Sequence, residues 1–390
     1  MLCAPSLNFT GAAGRLFISL TDNEHGWGNV ATRIWNSLLL ALLLNRAPVI
    51  VASAPRAKFL ATHFEYTDRL STAADLPKPR HTRRWVDENG TRILDLLRRP
   101  PRRNVNVVTF RHYAWSIKGL DLLQVAIARG KVGPDGCVMP FFMKPREGLL
   151  REMASVADRT DAVHARTCRK SSSEWRDPGC DGIVGSGRYT RMRYSAPDVA
   201  SAVSSSLGRS VRAVFVAADD GEVARAVKRK LNVAVNSFDG TGRVIHFRNK
   251  PADAGEADMK RIVLDWLAPL AAARVFEVGG STFWMSTMCW YRPRALMTFI
   301  GATVANQRAA ASSGVWSKLH AWMWVRKAPP VRSQIASWTT KAWSCTGDGI
   351  SPKTRMSASQ SQGCAKAVVK LVRSRNDGSW YNATECVRAV

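Results

Sequence analysis

The sequence is short of acidic residues, of long apolar runs and of metal-binding spacings, and each shortage removes options. Its 390 residues carry only 30 Asp and Glu against 57 Lys and Arg, a net charge of +27. A surplus of that size implies an acidic partner: nucleic acid, an anionic membrane surface, a phosphorylated ligand or a sulfated glycan. The basic residues are scattered in short clusters, Arg83–Arg84, Arg98–Arg99, Arg102–Arg103 and Lys228–Arg229–Lys230. Such clusters suit solvated faces better than one dedicated patch, so charge alone does not assign a function. The most apolar stretch, Ser37 to Leu44, is far too short to cross a bilayer and ends at Asn45–Arg46. No basic segment followed by a long apolar run stands at the N-terminus, so no signal peptide is read there. There is no C-x-x-C and no zinc-like Cys/His spacing.

What is present leans toward a secretory lumen. The eight cysteines are an even number, and Cys168 and Cys180 flank a polar stretch containing Pro178 and Gly179 that a disulfide could close. Three N-glycosylation tripeptides start at Asn8, Asn89 and Asn382. The expectation is a Golgi or other secretory-pathway protein that meets a membrane only through an anchor outside this sequence, with the cytoplasm as the alternative.

The apolar fraction, 46%, suffices for a sizeable core, and the length favours two domains over one. Leu16–Leu20 reads as a strand, followed by the polar, Gly-containing loop Thr21–Asn29. Val30 to Leu44 then reads as a helix apolar nearly all round, hence buried. Pro48 interrupts that pattern and Val49–Val51 forms the next strand, which completes a βαβ unit. Residues 53–104 are polar and rich in Arg and Pro, a loop-heavy insertion. Val105–Phe110 predicts a strand and Leu120–Arg129 a helix, and an interdomain connection falls between Gly133 and Arg146. Later strands are expected at Asp161–Ala165, Val211–Ala217, Val244–Phe247 and Arg274–Val278. Helices are expected at Pro197–Leu207, Gly221–Leu231 and Glu256–Ala272. Alternating strands and helices predict an α/β protein of two Rossmann-like domains. The boundaries read as 1–150 for the first, 151–310 for the second, and 311–390 for an irregular tail containing Trp and Cys.

Ligands of open parallel sheets bind at the carboxyl ends of strands, beside helix N-termini. Three segments satisfy that rule. Val163–Arg166 delivers His164 and Arg166 to a strand end, and arginine's planar fork binds diphosphate oxygens in bidentate fashion. A fixed arginine there would also stabilise charge developing on a departing diphosphate. Phe215–Asp220 ends in Asp219 and Asp220, which could accept hydrogen bonds from a ribose or base, although one of them suits capping of the next helix. Gly279–Phe283 opens a helix with small residues and the hydroxyls Ser281 and Thr282, a backbone cradle for phosphate or, equally, an ordinary cap.

Taken in order, GWGN with the apolar helix behind it, V-H-x-R, F-V-A-A-D-D and G-S-T-F resemble the fucosyltransferase superfamily. That group includes the nodulation, core α1,6 and protein O-fucosyltransferases, and the resemblance spans roughly residues 14 to 300. It implies a GT-B-like fold and an inverting, metal-independent transfer of fucose from GDP-fucose to a glycan or glycoprotein acceptor. By the same resemblance Arg166 would hold the β-phosphate, with His164 supporting that pocket. Asp219 or Asp220 would lie near the guanosine. Ser281, Thr282 and Phe283 would line the phosphates and base, and Gly28 and Asn29 would border the sugar and acceptor from the N-terminal half. No cofactor or metal is implied, in keeping with the lack of a D-x-D; the nearest approach is Asp22–Asn23–Glu24. Nucleic acid is not an expected partner.

The sequence departs from the family pattern in two places. Val30 follows GWGN where Arg or Gln is common, with Arg33 a turn later. After H-x-R stand Thr167, Cys168, Arg169 and Lys170, with no carboxylate before Glu174. The general base is therefore unassigned, and Glu24 or Asp22 in the Gly loop are the candidates. Two alternatives stay open: a non-catalytic basic protein binding glycan or nucleic acid on a degenerate transferase fold, and a transferase using another nucleotide sugar.

Overall fold

The protein's structure is a computed structural model that describes residues 2–3, 15–19, 26–66, 70–72, 83–87, 105–110, 122–167, 181–184, 187–191, 194–207, 211–238, 241–244, 254–279, 281–304, 324–326, 335–345, 364–373 and 380–388. The chain divides into two compact units. One comprises Leu2–Glu24, Asn29–Lys144 and Cys345–Val390; the other comprises Met1, His25–Gly28 and Pro145–Ser344. No helix among the described residues is long and apolar enough to cross a membrane.

The first unit is built on a parallel sheet. Strand β1 (Arg15–Ser19) leads to helix α1 (Trp27–Leu43) and strand β2 (Ala47–Ala52), the βαβ unit expected from the sequence. Helix α2 (Ala54–His63), β3 (Phe64–Tyr66), β4 (Leu70–Thr72) and β5 (Arg83–Asp87) occupy the segment that reads as an insertion, and β6 (Val105–Phe110) follows. The sheet order is β4-β2-β1-β6-β5, parallel throughout. Helix α1 is buried all round, but four of its buried positions are polar: Thr32, Arg33, Asn36 and Ser37. Pairs four residues apart, Thr32 with Asn36 and Arg33 with Ser37, place them along one side of the helix. Helices α3 (Leu122–Ala128) and α4 (Met139–Phe142) and strand β7 (Met143–Pro145), which pairs with β3, complete this half. A disulfide joins Cys3 to Cys137. The pairing considered from sequence, Cys168 with Cys180, lies outside the described residues, as do Asn8 and Asn89.

The second unit begins with α5 (Glu147–Ala157) and β8 (Asp161–Ala165), then β9 (Asp181–Val184), β10 (Gly187–Arg191), α6 (Ala196–Leu207), β11 (Ala213–Ala218), α7 (Glu222–Leu231) and β12 (Ala234–Asn236). After these come α8 (Glu256–Leu267), a 3₁₀ turn (Ala268–Leu270), β13 (Arg274–Val278), α9 (Thr282–Tyr291), β14 (Met297–Val304), β15 (Trp324–Arg326) and β16 (Ile335–Trp343). Strands β17 (Cys364–Arg373) and β18 (Trp380–Arg388), with Asn382 in β18, form an antiparallel pair within the first unit.

The main sheet of the second unit runs β12-β11-β8-β13-β14-β16, parallel except for the antiparallel edge β14·β16. In chain order its parallel strands lie 3-2-1-4-5, the doubly wound arrangement, and the order reverses between β8 and β13. Alternation along the strands sorts the residues onto two faces. Val163, Ala165, Val214, Val216, Phe276 and Val278 join α6 and α7 in one apolar cluster. On the other face Phe215 packs on Trp284, while Trp266, Trp284 and Trp290 of α8 and α9 are wholly buried. Their indoles are satisfied where burial demands it: Trp266 Nε1 donates to Ser286 Oγ at 2.8 Å and Trp284 Nε1 to the Asp265 carbonyl at 2.7 Å. Truncating any of these tryptophans to alanine costs about 3–5 kcal/mol.

Two expectations are corrected. Val244 is exposed and outside any strand, and residues 245–247 lie beyond the described residues. The third parallel strand is instead Ala234–Asn236, directly behind α7. Helix α8 stops at Leu267, where Pro269 turns the chain into the 3₁₀ segment rather than continuing to Ala272.

Candidate functional site

The strand order reverses between β8 and β13, and of the residues singled out from sequence Arg166 and Ser281 follow closely on the carboxyl ends of these two strands. Beyond β8 the backbone is held on all sides. The Arg166 N–H donates to the Val278 carbonyl at 3.0 Å, and the Tyr194 N–H donates to the Thr167 carbonyl at 3.0 Å. Thr167 N–H and Oγ1–H both donate to Asp219 Oδ1 at 2.8 Å. Arg166 itself is half-buried.

Beyond β13 the chain passes directly under that segment. Gly279 has φ +83°, and a Cβ there would stand 2.6 Å from the Arg166 carbonyl oxygen. Both the left-handed backbone and the close approach therefore require glycine. Two residues later Ser281, buried and extended, caps α9 by accepting the Phe283 N–H at Oγ, 3.2 Å. This is the ordinary-cap reading of Ser281, and the positive end of the α9 dipole lies just beyond β13.

Gly28 sits against the same turn. A Cβ on Gly28 would come within 2.7 Å of Phe283 N, Phe283 Cα and the Thr282 carbonyl carbon. The Gly28 backbone thus lies directly against the first turn of the 10-residue helix α9. Trp27 secures the approach by packing edge-on to Trp266 at 5.4 Å and Trp290 at 6.4 Å. A helix N-terminus just beyond the carboxyl ends of β8 and β13 is a position that favours an anion.

His164 lies under this turn. Its ring packs on Phe283 and Trp284, centroids 5.4 Å from each. Its Nδ1 is 2.9 Å from both carboxylate oxygens of Glu277, its register partner on β13. Glu277 is completely buried and His164 is 8% exposed. No reading of the sequence singled out Glu277: in Arg274–Val278 it looks like the polar position of an alternating strand.

The acidic pair of β11 has local duties. Asp219 ties down Thr167, as above. Asp220 Oδ1 accepts the Glu222 N–H at 2.9 Å, and its carbonyl accepts the Val223 N–H, so it is the residue that caps α7. Both are half-buried. Asn29, the third residue of α1, is also half-buried. Glu24 and Asp22 lie outside the described residues. Among the described residues no group of three or more His, Cys, Asp or Glu is placed to hold a metal ion.

No family model matches the chain, and no curated protein does. Solved structures of fucosyltransferases are similar to it. A mutant of Arabidopsis thaliana FUT1 in complex with GDP is 12% identical, matching 74% of this chain and 70% of that one with a TM-score of 0.46. NodZ α-1,6-fucosyltransferase soaked with GDP-fucose is 14% identical over 73% of this chain and 94% of its own, TM-score 0.41. POFUT1 in complex with GDP is 13% identical over 72% and 95%, TM-score 0.39.

Proposed function

We propose that the chain is a glycosyltransferase that moves fucose from GDP-fucose to a glycan or glycoprotein acceptor, with inversion and without a metal. The observation that supports this reading is the position of Arg166 and the N-terminus of α9 at the reversal point of a doubly wound sheet. That position is where the fold class binds nucleotides. Its donors are fixed before any ligand arrives, so they cost no reorganisation as charge develops on a departing diphosphate. Arg166 is the residue assigned to that charge, with the first turn of α9 beside it. Guanosine and fucose come from the motif resemblance: the ordered GWGN, H-x-R, A-A-D-D and G-S-T-F segments. An acceptor hydroxyl would attack the anomeric carbon as the bond to the β-phosphate oxygen breaks, and its proton passes to a base among residues such as Glu24.

The work is assigned to a secretory compartment. The Cys3–Cys137 disulfide supports this, since disulfides persist in oxidising compartments.

The second reading, a basic binding protein without turnover, draws on the commitment of Asp219 to Thr167 and Asp220 to helix capping. Thermal unfolding with GDP, GDP-fucose, GDP-mannose and UDP-sugars, all in EDTA, separates the two. A ligand that binds only the native state raises the midpoint by mass action. Selective stabilisation by GDP and GDP-fucose supports the transferase. A folded chain that answers no nucleotide, yet binds polyanions with a steep salt dependence, favours the second reading.

A further inference from the structure

Glu277 is a wholly buried carboxylate that the reading above does not use. Burying a carboxylate is costly unless it is hydrogen-bonded and compensated, so its place calls for a reason. Its contact with His164 supplies one. An ionised carboxylate only accepts hydrogen bonds, so with Glu277 ionised the proton between it and the imidazole belongs on Nδ1 of His164. The ring cannot turn away, because Phe283 and Trp284 pack against it. Nδ1 is taken by Glu277, and the His164 side chain keeps a tenth of its surface accessible while Glu277 keeps none. That ring lies against Phe283, in the first turn of α9, beside the Gly28 backbone.

We infer that Glu277 is a positioning residue: it fixes the tautomer and orientation of His164 so that Nε2 is the atom offered to the diphosphate of the bound nucleotide. This rests on the nucleotide reading above and extends it to a residue with no motif of its own. A ring whose Nδ1–H is committed can carry a second proton at Nε2 and donate it to a phosphate oxygen. Orientation of a histidine by a carboxylate behind it is the same physical device that sets tautomers at metal and catalytic sites.

Side-chain 15N NMR of the histidine-labelled chain tests this, with the His164 signals identified by their loss in His164→Gln. The expected result is a protonated Nδ1 in the wild type and an Nε2 signal that moves with GDP but not with guanosine. Glu277→Gln can donate as well as accept, so it should admit the other tautomer and weaken GDP about tenfold. In the His164→Gln background the same change should then have no further effect on GDP affinity. A bare Nδ1 in the wild type overturns the inference, and needs no variant to be measured. So does a Glu277→Gln penalty of equal size in both backgrounds, which marks a merely structural role. A GDP response that leaves Nε2 unmoved overturns the inference alone. The absence of any GDP response overturns the nucleotide reading and the ligand half of this inference together.

Discussion

The two ends of the β8–β13 sheet use the same residue types for opposite purposes. At the amino ends of the strands, Arg274 reaches Asp161 through Nε at 2.8 Å and Nη2 at 2.6 Å, and donates to the Leu207 carbonyl at the C-terminus of α6 at 3.1 Å. Asp161 raises the guanidinium's pKa above its ordinary value. A cavity of about 340 Å³ lies there, bordered by Arg212 and Arg274 but also by Asp158 and Asp161. Helix C-termini favour cations, and the arginine is answered by a carboxylate and a carbonyl. At the carboxyl ends the helices present N-termini instead. There Arg166 stands with backbone donors, and Asp219 is occupied by Thr167. On the proposed function, strand direction, more than residue type, decides which arginine is structural and which would meet an anion.

Variants can break that contrast. The largest effect belongs to His164→Ala, which leaves Glu277 buried without its partner and should cost about 3–5 kcal/mol in urea unfolding. A loss below about 1 kcal/mol would mean that Glu277 is compensated elsewhere. Next is Arg166→Ala, expected to lower turnover with GDP-fucose about 100- to 1,000-fold while the unfolding midpoint holds. Unchanged turnover would remove Arg166 from the mechanism. Arg274→Ala should do the reverse: about 1 kcal/mol of stability, because Arg274 is half exposed although Asp161 is buried, and no change in turnover.

The smallest effect sharpens the account by pH. Arg243 donates to both carboxylate oxygens of Asp258, through N–H at 2.7 Å and Nη2 at 2.7 Å, and holds that carboxyl below its usual value. A depressed carboxylate adds stability above its unfolded pKa of roughly 4 and loses it as pH falls through the folded value. Asp258→Asn should therefore be less stable than the wild type at pH 6 and converge with it toward pH 2. Parallel stability curves would contradict the pairing.

Much of this was legible in sequence where burial leaves a continuous signal. Asp161–Ala165, Arg274–Val278 and Val105–Phe110 were read with their observed bounds, the first two from buried central strands whose neighbours on both sides are apolar. Ala234–Asn236 was not, because a three-residue edge strand with exposed and half-buried side chains has no hydrophobic pattern to find. Val244–Phe247 has β-compatible residues but no pairing partner at Val244. Met297–Val304 carried a usable signal, an apolar run with β-branched residues, that was left unread. The site residues of β8 and α9 were visible because each lies at a strand end or a helix start. Glu277 was invisible for a different reason. Its meaning comes from register with a histidine 113 residues earlier, and no local pattern encodes register across a parallel sheet.

The most direct measurement is calorimetric titration of GDP, in EDTA, into the wild type, Arg166→Ala and Arg274→Ala. The account predicts binding to the wild type and to Arg274→Ala with similar affinity, and a loss of at least tenfold in Arg166→Ala. Binding retained by Arg166→Ala and lost by Arg274→Ala would place the nucleotide at the other end of the sheet and contradict the account.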